Sequence, residues 1–150
     1  MPVVTKNLII INILLFFGGI VAAKYGIKLE EYLGLHFFLA DDFNLAQLFT
    51  YMFMHGGFTH IFFNMFALFM FGRILEQVWG PRRFLFYYIV CGVGAGLIQE
   101  LVQYIHYSVE LSAYDSVNIG GEIISMAQYL NKMITVGASG AIYAILLAFG

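Results

Sequence analysis

Charged residues are scarce in this chain. They make up 11% of its 150 residues, against about 25% in an average soluble domain. Hydrophobic residues make up 61%, and the mean hydropathy is +0.85. This composition excludes an ordinary soluble domain and predicts an all-α membrane protein with several spans in the lipid bilayer. The net charge of −2 and the lack of a basic run exclude a nucleic-acid partner held by bulk electrostatics.

Cysteine is almost absent as well. The single Cys91 excludes an intrachain disulfide, and within its apolar stretch it is expected to be a small packed residue. The chain has no pair of cysteines with metal-binding spacing, and we expect no cofactor.

Four apolar segments predict membrane spans. They cover residues 8–23, 58–75, 84–101, and a fourth stretch that opens near 134 and is still apolar at 150. Each is near the lower limit of the ~17–25 residues that a spanning helix needs. The first segment has an alternative interpretation as a cleavable signal peptide, but an uncleaved span is simpler in a chain with further spans.

The connections between these segments differ in character. Residues 45–54 are uncharged but too short to span, which predicts a stretch that lies in the interface or re-enters the membrane. Asn44 and Gln47 have the spacing of a capping pair at the start of a short helix. Gly80-Pro81 predicts a tight turn after the second span. Residues 103–132 are expected to form a long, partly ordered loop with an amphipathic piece at 122–130.

Small residues predict helix packing, and basic residues predict orientation. Gly92 and Gly96, and likewise Gly140, Ala144 and Ala148, form ridges of small residues that we expect to pack against other helices. With a cytoplasmic amino terminus, the inside carries four Lys and Arg, and the outside carries three Lys with eight Asp and Glu. The distribution favours an amino terminus on the cytoplasmic side of the cell (inner) membrane.

Two polar side chains interrupt the second apolar segment. His60 and Asn64 are four residues apart and therefore share one face of a helix. Both side chains donate hydrogen bonds, and two converging donors in a low-dielectric bundle suit a developing oxyanion. The alternative is that they hydrogen-bond to a neighbouring helix and only hold the bundle together.

A third polar residue, His55, precedes His60 by five residues across Gly56-Gly57. This spacing points the two rings apart, and a two-histidine metal face prefers a separation of three or four, so no metal site is expected. His55 is expected instead to hydrogen-bond within the loop and to hold that loop over the site.

A serine flanked by glycines lies near the start of the fourth segment. Ser139 in Gly137-Ala138-Ser139-Gly140 is a candidate nucleophile, because the glycines leave room for a substrate backbone. The alternative is ordinary small-residue packing between membrane helices. Tyr143 follows Ser139 by four residues on the same helix face, where its ring would either support a base or fill the core.

Taken together, these residues resemble the rhomboid family of intramembrane serine proteases. Gly137-Ala138-Ser139-Gly140 with Tyr143 is similar to the family's Gly-x-Ser-Gly nucleophile, and His55, His60 and Asn64 are similar to its second-span pattern. Residues 72–76, and the membrane-embedded loop before His55, also resemble the family. The resemblance assigns residues 1–43 to a first span and the start of the first loop, and 44–150 to an incomplete rhomboid-like catalytic domain.

The resemblance implies a role for each residue. Ser139 would be the acylated nucleophile, and His60 and Asn64, with the backbone N–H of Ser139, would form the oxyanion hole. Tyr143 would stack on the catalytic histidine, and Glu76 would brace the second and third helices. The substrates would be single-span membrane proteins, cut near a helix end with small residues and helix breakers, and water would reach Ser139 from the outer face.

Two departures from the family's pattern stand out. The family's catalytic histidine lies on a sixth span, and no histidine follows Ser139 here. The chain is therefore expected to form the first three spans and part of the fourth of a rhomboid-like bundle, a truncated portion that is inactive alone. Ala46-Gln47 replaces a tryptophan–arginine pair of some members, which leaves the anchoring of the first loop open.

Two other functions compete with the endopeptidase. A non-catalytic rhomboid-like protein that binds membrane helices would lose the serine or the histidine, and here the serine is present. A small transporter or channel subunit would need carboxylates along an intramembrane pathway, but only Glu76 and Glu100 are present, near helix ends.

Overall fold

The computed structural model describes residues 1–150 and confirms a mostly helical membrane architecture. Three helices are long and apolar enough to cross a membrane, namely Val3–Lys24, Phe58–Trp79 and Pro81–Leu111. The fourth apolar segment forms a shorter helix, Ser139–Phe149. The protein is therefore an integral membrane protein with several spans, as its composition predicts.

Short elements connect these helices. In chain order the first half contains α1 (Val3–Lys24), α2 (Leu29–Leu33), β1 (Leu35–His36), α3 (Gln47–Thr50) with a 3-10 turn (Tyr51–Phe53), α4 (Phe58–Ala67), a π-helical turn (Leu68–Gly72) and α5 (Arg73–Trp79). The second half contains α6 (Pro81–His106), a π-helical turn (Tyr107–Leu111), β2 (Ser116–Ile119), β3 (Glu122–Ser125), α7 (Met126–Asn131), β4 (Ile134–Thr135) and α8 (Ser139–Phe149). The second span is thus α4 and α5 joined through the first π-helical turn.

The third helix is longer than predicted, because it continues to Leu111. No glycine or proline interrupts residues 103–111, and His106 pairs with Glu110 one turn later at 3.2 Å. The prediction of a loop from 103 is therefore wrong for its first part. The rest holds an antiparallel hairpin, β2 with β3, and then α7, so the piece at 122–130 is half strand and half helix.

Glycines make the predicted tight turn and one of the two predicted close helix contacts. Gly80 adopts a φ of +86°, and Pro81 begins α6 directly after it. A Cβ on Gly140 would lie 2.5 Å from the Cβ of Ala95, so α8 packs closely on α6. Gly92 of the other predicted ridge contacts Met52 of the 3-10 turn rather than another spanning helix.

Glu76 binds the first helix, not the third. Its carboxylate accepts hydrogen bonds from the backbone N–H groups of Val4 and Thr5 at 2.9 and 2.7 Å, and from the Thr5 hydroxyl at 2.8 Å. The first N–H groups of a helix have no partner within it, and the positive end of the helix dipole favours an anion there. The expected brace between the second and third helices is therefore corrected to one between the second and first.

Candidate active site

The second span places both predicted donors on one side of α4. Asn64 is buried, and its Nδ2 has no hydrogen-bond partner. The Nδ1 of His60 accepts a long hydrogen bond from the backbone N–H of Gly56 at 3.5 Å. No hydrogen bond is made by the Nε2 of His60. Asn64 therefore has a free amide donor, and His60 has a free ring nitrogen.

Ser139 is the first residue of α8, at the end where backbone N–H groups lack helical partners. Ser139 lines a cavity of about 250 Å³ with Asn64 and Tyr143, and three apolar side chains complete its wall. The shared cavity brings together the second span and the nucleophile candidate, which are 75 positions apart in the sequence. An acyl group placed there would meet a hydroxyl and an amide donor at once.

Gly137 holds the turn before the nucleophile against the second span. Its φ is +119°, a region that side-chain-bearing residues rarely adopt, and a Cβ there would lie 2.6 Å from Cε1 and 2.8 Å from Nε2 of His60. Its N–H donates to the carbonyl oxygen of Tyr51 at 3.0 Å. Gly137 therefore lets the imidazole donor of His60 approach the backbone two residues before Ser139.

His55 contacts His60, contrary to the expectation that their rings point apart. The ring centroids are 5.0 Å apart with an interplanar angle of 66°. The extended backbone of Gly57 interrupts the helix, so helical spacing does not apply between them. Neither nitrogen of His55 makes a hydrogen bond of normal geometry, although the backbone of Phe53, in the same loop, lies close to the ring. Burial, and secondarily the neighbouring His60, lower the pKa of His55 to about 4.

Tyr143 lies one turn after Ser139 and is 68% exposed. Its ring borders the same cavity and is not buried among residues 1–150. The Ser139 hydroxyl itself makes no hydrogen bond with a residue of 1–150.

Gln47, which the sequence predicted only as half of a capping pair, makes further hydrogen bonds. It is buried, and its Oε1 accepts from the N–H groups of His36 and Asn44, each at 3.2 Å. Its Nε2 donates to the carbonyl oxygens of Tyr32 and Asp42 at 3.3 and 3.0 Å. The bond from Asn44 is half of the predicted capping pair. Gln47 therefore anchors the first loop, whose anchoring the sequence left open.

These features define a class, a helical membrane protein in which a serine and an asparagine from two helices line one small cavity. Residues 42–149 match the model of the Rhomboid domain, and the chain belongs to the rhomboid family. Rhomboid protease AarA of Providencia stuartii is 33% identical over 150 residues, which cover 96% of this chain and 48% of AarA.

Further relatives have the same family name. YdcA of Bacillus subtilis is 26% identical over 156 residues, which cover 99% of this chain and 76% of that protein. RHOMBOID-like protein 6, a mitochondrial protein of Arabidopsis thaliana, is 32% identical over 100 residues, which cover 67% of this chain and 24% of the plant protein. The chain therefore spans about half of AarA and about a quarter of the plant relative.

Proposed function

We propose that this protein is a rhomboid-type intramembrane serine endopeptidase that cleaves single-span membrane proteins. The observation that carries the proposal is the buried Asn64 amide, which has no partner and lines the same cavity as Ser139. A residue that only held helices together would have its amide hydrogen-bonded across the interface. Leaving a buried donor unpaired costs about 1–3 kcal/mol, which fits a site kept open for an oxyanion.

The proposed reaction has three steps. The Ser139 Oγ attacks the scissile carbonyl carbon and gives its proton to a general base. Negative charge develops on the carbonyl oxygen, where Asn64 Nδ2, His60 Nε2 and the Ser139 backbone N–H donate. The C–N bond then breaks, the amine leaves with the proton, and water hydrolyses the acyl ester.

The roles of the remaining site residues follow the same logic. The exposed ring of Tyr143 is placed to stack on the imidazole of the base, as in the family that this chain resembles. His55 packs edge-on against His60 and keeps that ring in its orientation. The general base is not assigned to any of the four histidines of residues 1–150.

The test is fluorophosphonate labelling of the full-length protein in native membranes. A labelled band should vanish in Ser139→Ala and persist in Ser108→Ala, which removes an exposed hydroxyl at the end of the third helix. Cleavage of a single-span reporter should be lost in Ser139→Ala only. Absence of label, with the protein present on an immunoblot, would instead support a non-catalytic protein that binds membrane helices.

We also propose that the amino terminus is cytoplasmic, in the cell membrane. The support is the excess of Lys and Arg on the side of Lys6 and the Arg82-Arg83 turn. The β2–β3 hairpin would then lie outside, with its exposed tip at Gly120-Gly121. Alkaline phosphatase inserted at that tip should be active. An active fusion at the Arg82 turn would instead show that the amino terminus lies outside.

A further inference from the structure

We propose that Tyr51 is a positioning residue that fixes the nucleophile by tying the turn before Ser139 to the third span. The inference rests on the proposed endopeptidase function, because it concerns the same site. Tyr51 belongs to the 3-10 turn Tyr51–Phe53 and is 4% exposed. No ionisation or contact with substrate is required of it.

Two hydrogen bonds connect Tyr51 to separate parts of the fold. Its carbonyl oxygen accepts the N–H of Gly137 at 3.0 Å. Its side-chain hydroxyl donates to the carbonyl oxygen of Gly92 in α6. One residue therefore connects the middle of the third span to the backbone two residues before Ser139.

Glycines on both sides of the tyrosine ring keep this bridge short. A Cβ on Gly96 of α6 would lie 3.0 Å from Cε1 of Tyr51, and a Cβ on Gly140 of α8 would lie 3.7 Å from its hydroxyl oxygen. The ring thus lies between α6 and the first turn of α8. A shift of the ring would move the turn that carries Ser139.

The same turn contacts the His60 ring through Gly137. The position of Gly137 therefore sets both the place of the Ser139 hydroxyl and its distance from a donor of the oxyanion hole. A misplacement of about 1 Å in a catalytic site costs on the order of 100-fold in rate. Tyr51 acts on the reaction through this backbone and not by touching the substrate.

The chain offers a matched control. The hydroxyl of Tyr87, on α6, donates to the carbonyl oxygen of Ala144 in α8 at 2.6 Å. Tyr51→Phe and Tyr87→Phe each remove one hydroxyl that bonds a helix carbonyl near α8. Only Tyr51 also binds the turn before Ser139, because its carbonyl oxygen accepts the N–H of Gly137. Comparing the two variants therefore separates positioning of that turn from general helix packing.

The experiment measures cleavage kinetics of a single-span reporter by the full-length protein, together with the rate of fluorophosphonate labelling. Tyr51→Phe should lower kcat by about 10- to 100-fold, change KM by less than about twofold, and slow labelling by the same factor as kcat. Tyr87→Phe should keep kcat and labelling within about twofold of the unmodified protein. Thermal unfolding in detergent checks that both variants are folded.

An equal loss of kcat in both variants, or an unchanged kcat in Tyr51→Phe, would overturn the proposal. If Tyr51→Phe does not fold, replacing the Gly137 amide by an ester removes its N–H donor and leaves every side chain in place. The ester should lower kcat by a similar factor, and an unchanged rate would again overturn the proposal. Loss of labelling in Ser139→Ala tests the endopeptidase separately, so its failure is distinguishable.

Discussion

Gly137→Ala should inactivate the protein with a modest loss of stability. A φ of +119° disfavours any side chain, and a left-handed backbone costs a non-glycine residue about 1–2 kcal/mol. The new methyl group would also lie 2.6 Å from Cε1 of His60, so the ring or the turn must move. Displacing one oxyanion donor costs about 10²–10³ in kcat. We therefore expect at least a 100-fold loss of activity.

The assay compares reporter cleavage and thermal unfolding in detergent for Gly137→Ala and Gly94→Ala. Gly94 is a helical glycine of α6, and a Cβ at this position would have no neighbouring atom within 4 Å. Alanine there should leave kcat unchanged and stabilise the helix slightly, since glycine costs about 1 kcal/mol relative to alanine in a helix. If Gly137→Ala cleaves at the rate of the unmodified protein, the close approach of Gly137 to His60 has no catalytic importance.

Three further predictions concern single side chains. Asn64→Ala should lower kcat by about 10²–10³ without loss of thermal stability, because its amide has no partner to lose, whereas a packing role predicts a lower Tm. Glu76→Gln should lower the unfolding free energy by about 1.5–3 kcal/mol, measured by denaturation in micelles, because the carboxylate accepts three hydrogen bonds at the start of α1; an unchanged value would contradict this. The pKa of His55 is lowered from its ordinary value of 6.5 to about 4, so as pH falls the unfolded chain binds this proton before the folded chain does. The free energy of unfolding should therefore decrease between pH 6.5 and pH 4. His55→Gln should flatten this pH profile, and an identical profile in the variant would refute the prediction.

The membrane spans were predictable from hydropathy, but their ends were not. Hydropathy shows which residues tolerate lipid, and a helix that continues into water leaves no such signal. The third helix therefore runs ten residues beyond the predicted end at 101, to Leu111. The start of α8 was predicted too early. Ile134 and Thr135 are uncharged and fit a membrane span by hydropathy, but they pair with β1 as strand β4.

Helical spacing predicted part of the site. His60 and Asn64 lie on an uninterrupted helix, so their spacing of four places both on one face. His55 was misplaced because the backbone of Gly57 is extended, with a φ of −173°, and the chain turns back toward the His60 ring. The shared cavity of Asn64 and Ser139 depends on how the helices pack. The sequence predicted it only through the family resemblance.

The first loop and the nucleophile are linked through pairing that no local sequence pattern shows. Gln47 accepts the N–H of His36, and His36 pairs with Ile134 in the two-stranded sheet of β1 and β4. Three residues after Ile134, the chain reaches Gly137, which the carbonyl oxygen of Tyr51 holds. A buried glutamine is stable only when its amide is hydrogen-bonded, so these contacts depend on one another. The turn before Ser139 is thus linked to the first loop, and under the proposed mechanism changes in that loop should alter catalysis without touching Ser139, His60 or Asn64.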